Sequence, residues 1–238
     1  MEAKLKQIVD RLQAAAGENL HAAVLYGSAV TGEFHDRHSD LNILCILKSA
    51  TVTDLEALHG VAEWWIREGH PAPLVFTFEE LQRSADVFSI ELFDIKSRHR
   101  MLHGEDFFEH LEVPLHLHRL QVERELRTDW LKLRQAILAA PQTKKVHIGI
   151  MLASVSAFCV LFRHALAALG QPMPETKRQA IDAMASLTGA NPAAFHAILD
   201  LREGKRKERQ IDIEASLHAY LEFVEVVTNE VDRRFAVR

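Results

Sequence analysis

From Leu117 to the C-terminus the chain offers no run with the two-residue period of a strand. It offers only stretches whose apolar residues return at helical spacing, over residues 117–140, 143–169, 175–187, 191–201 and 211–235. Pro141, Gly170-Gln171-Pro172 and Asn191-Pro192 punctuate them, the last reading as an N-cap followed by proline in the first turn. A tail of this kind can bury its apolar stripes only helix against helix, so a bundle with short loops is expected.

Residues 1–113 read differently. A helix over residues 1–16 places Leu5, Ile8, Val9 and Leu12 on one face and can end at Gly17. "NLHAAVLYGS" and Asp40 to Leu47 read as strands, the second nearly all apolar after its polar head, as in a sheet covered on both faces. Thr51 or Thr53 can cap a helix that stops before Pro71, and "PLVFTF" follows as a third strand. Thr77 and Glu80 have capping-box spacing, predicting a short helix from Phe78. "VFSIELFDI" is expected as a fourth strand and "KSRHRMLHGEDFF" as a connector. The expected class is α+β: a mixed sheet with flanking helices over residues 1–113, then an all-α bundle over 114–238.

The composition narrows the function classes. Hydrophobic residues make up 48% and charged residues 26%, the proportions of a globular protein. A net charge of −5 argues against a protein whose main task is gripping a long nucleic-acid backbone. Cys45 and Cys159 each sit inside an apolar run, so no zinc site or disulfide framework is indicated. "MEAKLKQIVDRLQ" lacks the apolar core of a signal peptide, which makes a cytoplasmic protein the expectation. The uncharged stretch "IGIMLASVSAFCVLF" is shorter than the roughly 20 residues that span a bilayer, so no membrane contact is expected.

The chemistry concentrates in "YGSAVTGEFHDRHSDLNILCIL". Gly27-Ser28 closes the first strand where the next element is expected to begin as a helix at Ala29. Glycine there lets backbone approach a ligand, and a helix start favours phosphate. Asp40 heads the adjacent strand, and the period of two puts Asn42 on its face while Leu41 and Ile43 point to the core. Glu91, between Ile90 and Leu92, is a lone acid among apolar neighbours and needs a partner. If its strand neighbours that of Asp40, the two acids can converge on Mg²⁺ beside phosphates held at the turn. Asp94 is the alternative third acid. An odd step along a strand separates it from Glu91, so only one of them can face the site.

Gly-Ser, eleven further residues, then Asp-Leu-Asn, with the later acidic strand, resembles the signature of the nucleotidyltransferase superfamily, the polymerase-beta-like fold. The α/β region followed by helices is similar to the aminoglycoside adenylyltransferases. The resemblance implies that Gly27 and Ser28 bind the nucleotide triphosphate, that Asp40 ligates Mg²⁺ and that Glu91 is the third acid. It also implies a bundle closing one wall of the cleft. The departure is Asn42, where the family pattern has a second carboxylate. An amide oxygen can ligate a cation but adds no charge to a clamp that holds two dications about 4 Å apart. The catalytic and metal set that the resemblance implies is Asp40, Asn42 and Glu91, with Mg²⁺ as cofactor.

Arg37, in the loop before Asp40, and Lys205 or Arg206, in the basic run "REGKRKER", are cations that could reach nucleotide phosphates, as are Lys144 and Lys145 at a helix start. The resulting expectation is transfer of a nucleoside monophosphate from an NTP, ATP foremost, to a hydroxyl of a small molecule or protein. The alternatives are a nucleotide-binding sensor or partner-binding module without turnover, and a toxin–antitoxin component. Bundles of this kind often pair, which leaves a homodimer open.

Overall fold

Four strands, β1 (Leu20–Tyr26), β2 (Asn42–Leu47), β3 (Leu74–Thr77) and β4 (His99–His103), make one mixed sheet in the order β3-β2-β1-β4. β1 runs antiparallel to both neighbours, and β2 and β3 are parallel. The computed structural model describes residues 1–30 and 40–236. They fall into two units, Met1–Leu115 and His116–Arg238. With its sheet in the first unit and helices alone in the second, the chain is α+β.

Alternation along β1 and β2 divides the core of the first unit in two, because successive side chains leave a strand on opposite faces. Ala23, Leu25, Ile43 and Cys45 pack under α1 (Glu2–Ala16) and α2 (Val52–Arg67), against Leu5, Ile8, Leu12, Leu58 and Trp65. Ala22, Val24, Leu44 and Ile46 face α3 (Phe78–Ser84), α4 (Ser89–Ser97) and Phe107, Phe108 and Leu111. α2 is the crossover that lets β2 and β3 run parallel. Thr51 caps it in a capping box with Asp54, and Thr77 does the same for α3 with Glu80. Each cap satisfies N–H groups that a helix start would otherwise leave open.

One expected element is overturned. "VFSIELFDI" is not a strand: Ser89–Ser97 is helix α4, and the fourth strand is His99–His103, inside the expected connector. The physical reason is burial at three-residue steps, Ser89, Leu92 and Ile95, which is one side of a helix. Ile90 is buried as well, and a short run this apolar cannot be assigned by periodicity alone. β4 is polar because it is an edge strand, bonded only to β1.

The second unit consists of α5 (His118–Ala139), α6 (Lys144–Ala168), α7 (Lys177–Thr188), α8 (Ala193–Arg202) and α9 (Ile213–Ala236). These follow the expected helical stretches closely. Gly189, left-handed at φ 75°, ends α7, and the Asn191 side chain accepts from the Ala193 N–H at the start of α8. α6 is longer than its uncharged stretch. At 25 residues it is long and apolar enough by length and composition to cross a membrane, yet it packs against all four other helices of the unit. Phe158, Cys159 and Phe162 of α6 are fully buried. The two phenylalanines belong to an aromatic cluster with Phe195, Tyr220 and Phe223, in which the Phe195 and Tyr220 rings stack at 4.2 Å. Such pairs add about 0.5–1.5 kcal/mol each beyond area burial.

Candidate functional site

The end of the sheet where β1 finishes and β2 begins collects the candidate residues. Tyr26 pairs with Asn42 on one side and His99 on the other, forming the last rung. Gly27 follows at φ +80°, and Gly27–Ala29 is a single 3-10 turn closed by the Val30 N–H on the Gly27 carbonyl at 3.1 Å. Ala29 itself lies in this turn, and the rest of the helix expected from it lies outside the described residues. Within the described residues, the turn's own N–H groups are what a phosphate could meet. Two features favour glycine at position 27. The φ is left-handed, and a Cβ would stand 2.8 Å from Asn42 Nδ2. The Asn42 side chain thus lies against the turn, linking the head of β2 to the end of β1.

Asp40 stands two residues ahead of β2 and is exposed, while Asn42 is half-buried. Leu41 and Ile43 are buried in the core under α1 and α2, so Asn42 belongs to the opposite face with Leu44 and Tyr26. This is the division of faces that the period of two predicts.

Glu91 reaches the same end by a route the sequence did not indicate. Its helix α4 covers the face that carries Tyr26, with Leu92 and Ile95 in that core. Burial pushes the Tyr26 phenol up to about 12, and the charge of Glu91 adds to the effect. The Glu91 carboxylate is therefore close enough to be felt at the last rung of the sheet. The helix also cancels the argument that separated Glu91 from Asp94. Three residues apart on a helix, they are neighbours on one side and do not face opposite ways.

His99 had no functional signal in the sequence, because it fell in an expected connector. Its Nδ1 lies 2.9 Å from the Ile95 carbonyl and its Nε2 2.9 Å from Asp106 Oδ2, and its ring lies 4.3 Å from that of Phe108. These contacts fasten the end of α4 to β4. Burial works to raise Asp106, but the hydrogen bonds from His99 and the Phe108 N–H outweigh it and leave the carboxyl below its usual value. His70, equally unsignalled, sits behind the strand head and accepts from the Leu41 N–H.

The structure thus brings Gly27, Ser28, Asp40, Asn42 and Glu91 to one end of one sheet. Arg37 lies outside the described residues. Lys205 belongs to the second unit, where its Nζ is 2.6 Å from Glu203 Oε2. A shallow depression of about 740 Å³, lined by Lys48, Thr51, Thr77 and Glu79 among others, lies at the other end of the sheet and shares none of these residues.

Among the described residues, no three His, Cys, Asp or Glu side chains group as a metal ligand set. The donors at the strand head are two carboxylates and an amide, all offering hard oxygen. That chemistry fits Mg²⁺ and does not fit a thiophilic metal.

The chain has a nucleotidyltransferase-type fold. Among solved structures it is similar to spectinomycin adenyltransferase AAD(9) from Enterococcus faecialis, described with ATP and spectinomycin, with a TM-score of 0.55 and 16% identity. That match covers 97% of this chain and 99% of the other, so the likeness extends through both units. A toxin–antitoxin structure with AMP-PNP aligns over 56% of this chain and 98% of that one, at 16% identity and a TM-score of 0.32, too low to carry an argument. No protein-family model and no curated protein matches the sequence.

Proposed function

We propose that this protein is a Mg²⁺-dependent nucleotidyltransferase that moves a nucleoside monophosphate from an NTP, ATP foremost, to a hydroxyl of a small molecule or protein side chain. The observation that carries the reading is the gathering of the Gly27-Ser28 turn, Asp40, Asn42 and Glu91 at one end of a sheet of this fold. Asp40 and Glu91 would hold Mg²⁺ with Asn42 as a neutral ligand, and the bound ion would offset charge on the phosphate oxygens. The Gly27-Ser28 backbone would take the triphosphate. In the transfer the acceptor oxygen bonds the α-phosphorus, the bond to pyrophosphate breaks, and a carboxylate, for which Glu91 is the candidate, takes the hydroxyl proton.

Asn42 itself favours a second reading, a protein that binds nucleotide without turning it over. A two-metal clamp relies on anionic ligands, and an amide supplies none of that charge. The test is titration of ATP, GTP, CTP and UTP into wild type, Asn42→Asp and Asp40→Ala, with and without Mg²⁺, reading binding and pyrophosphate release. Metal-dependent binding that disappears in Asp40→Ala, with turnover in wild type, supports the enzyme. Turnover confined to Asn42→Asp supports the binding protein. No binding in any variant removes both readings.

A further inference from the structure

We propose that His70 is a positioning residue for the strand head that carries Asp40: its Nδ1 accepts the peptide N–H of Leu41, 3.4 Å away, and so fixes where the Asp40 carboxylate stands. The inference rests on the reading of Asp40 given above.

The Leu41 N–H needs an acceptor, because Leu41 is 2% exposed. Strand pairing does not reach it. β2 begins at Asn42, and its pairing with β3 starts only at Leu44 opposite Leu74. His70 comes from the segment leading into β3, and its imidazole takes the place a ladder carbonyl would have held one rung further on. The residue is itself held: the His70 backbone N–H bonds the Trp65 carbonyl at 3.3 Å, and the imidazole packs 4.3 Å from the fully buried Trp65 indole. Accepting at Nδ1 requires the tautomer with hydrogen on Nε2. Burial favours a neutral imidazole, with Lys4 adding to it against the charges of Asp40 and Glu68. The chain continues directly from Leu41 back to Asp40, so a loosened Leu41 peptide moves the ligand and leaves Asn42 anchored by its pairing to Tyr26.

Two variants of the whole chain separate positioning from packing. His70→Phe keeps a ring against Trp65 and removes the acceptor, while His70→Asn gives up the ring and keeps an acceptor near the Nδ1 position. Hydrogen exchange at the Leu41 amide and Mg²⁺-dependent ATP affinity are read on both, with Asp40→Ala as reference. In His70→Phe, Leu41 exchange should rise roughly three- to tenfold, the loss of one modest hydrogen bond, and ATP affinity should fall by a similar factor. His70→Asn should recover most of both. Unchanged Leu41 exchange in His70→Phe, or equal impairment of the two variants, overturns the inference while leaving the nucleotidyltransferase reading intact. If wild type binds no nucleotide, the site reading fails and the positioning role with it, whatever the Leu41 amide does.

Discussion

Gly27→Ala tests the contact on which the arrangement of the strand head depends. Two costs arise at that position. An L side chain at φ +80° costs about 1–2 kcal/mol. The new Cβ, 2.8 Å from Asn42 Nδ2, forces the amide from its rotamer at about 0.5–1.5 kcal/mol. Together these amount to about 2–3 kcal/mol, or roughly 10 °C in the melting temperature of a unit of this size. The steric part can be isolated. In an Asn42→Ala background the Cβ meets no amide, so the same substitution should cost only the backbone part, leaving a coupling of about 1 kcal/mol between the two positions. Thermal unfolding of wild type, both single variants and the double variant measures it. Equal cost in the two backgrounds would refute the close approach of Asn42 to the turn, and a cost near zero would refute the left-handed backbone as well.

Two further predictions concern charges. The chain has two tyrosines, Tyr26 and Tyr220, both raised by burial, so no phenolate absorbance should appear near pH 10 after a rapid pH jump. Glu91→Gln should bring the Tyr26 titration down from about 12, because a negative neighbour is removed, whereas movement only in Asp94→Asn would transfer the third-acid assignment to Asp94. In the second unit, burial works to raise Glu203, but hydrogen bonds from Lys205 and Arg178 outweigh it and hold the carboxyl below 4.5. A carboxylate depressed in the folded state stabilises above its unfolded pKa and loses that contribution as pH falls through the folded one. Glu203→Gln should therefore cost about 1 kcal/mol at pH 7, with the deficit closing as pH falls below 4.5. A deficit independent of pH would show that the ion cluster is not its source.

The sequence by itself determined the elements whose periodicity had a single reading. The five helices of the second unit repeat apolar residues over nearly three turns or more, and their breaks carry Pro, Gly or Asn, so local chemistry fixes both type and extent. β1 and β2 were equally plain, and with them the opposite faces of Asn42 and of Leu41 and Ile43, because alternation is a property of the strand alone. Tertiary structure decided what short apolar runs leave open. Whether "SIELFDI" becomes a strand or a helix depends on what it covers. Against the face of Ala22, Val24, Leu44 and Ile46 it buries Ser89, Leu92 and Ile95 as a helix, which leaves the polar edge position of the sheet to His99–His103. The roles of Tyr26, His70 and His99 come from the same source. Tyr26 and His70 act through partners distant in sequence, Glu91 and Leu41, and His99 through Ile95 and Asp106, which flank it but meet its ring only when α4 and β4 pack together. No local pattern encodes such meetings, since they exist only once the sheet has brought its strand ends together and α4 has closed over them.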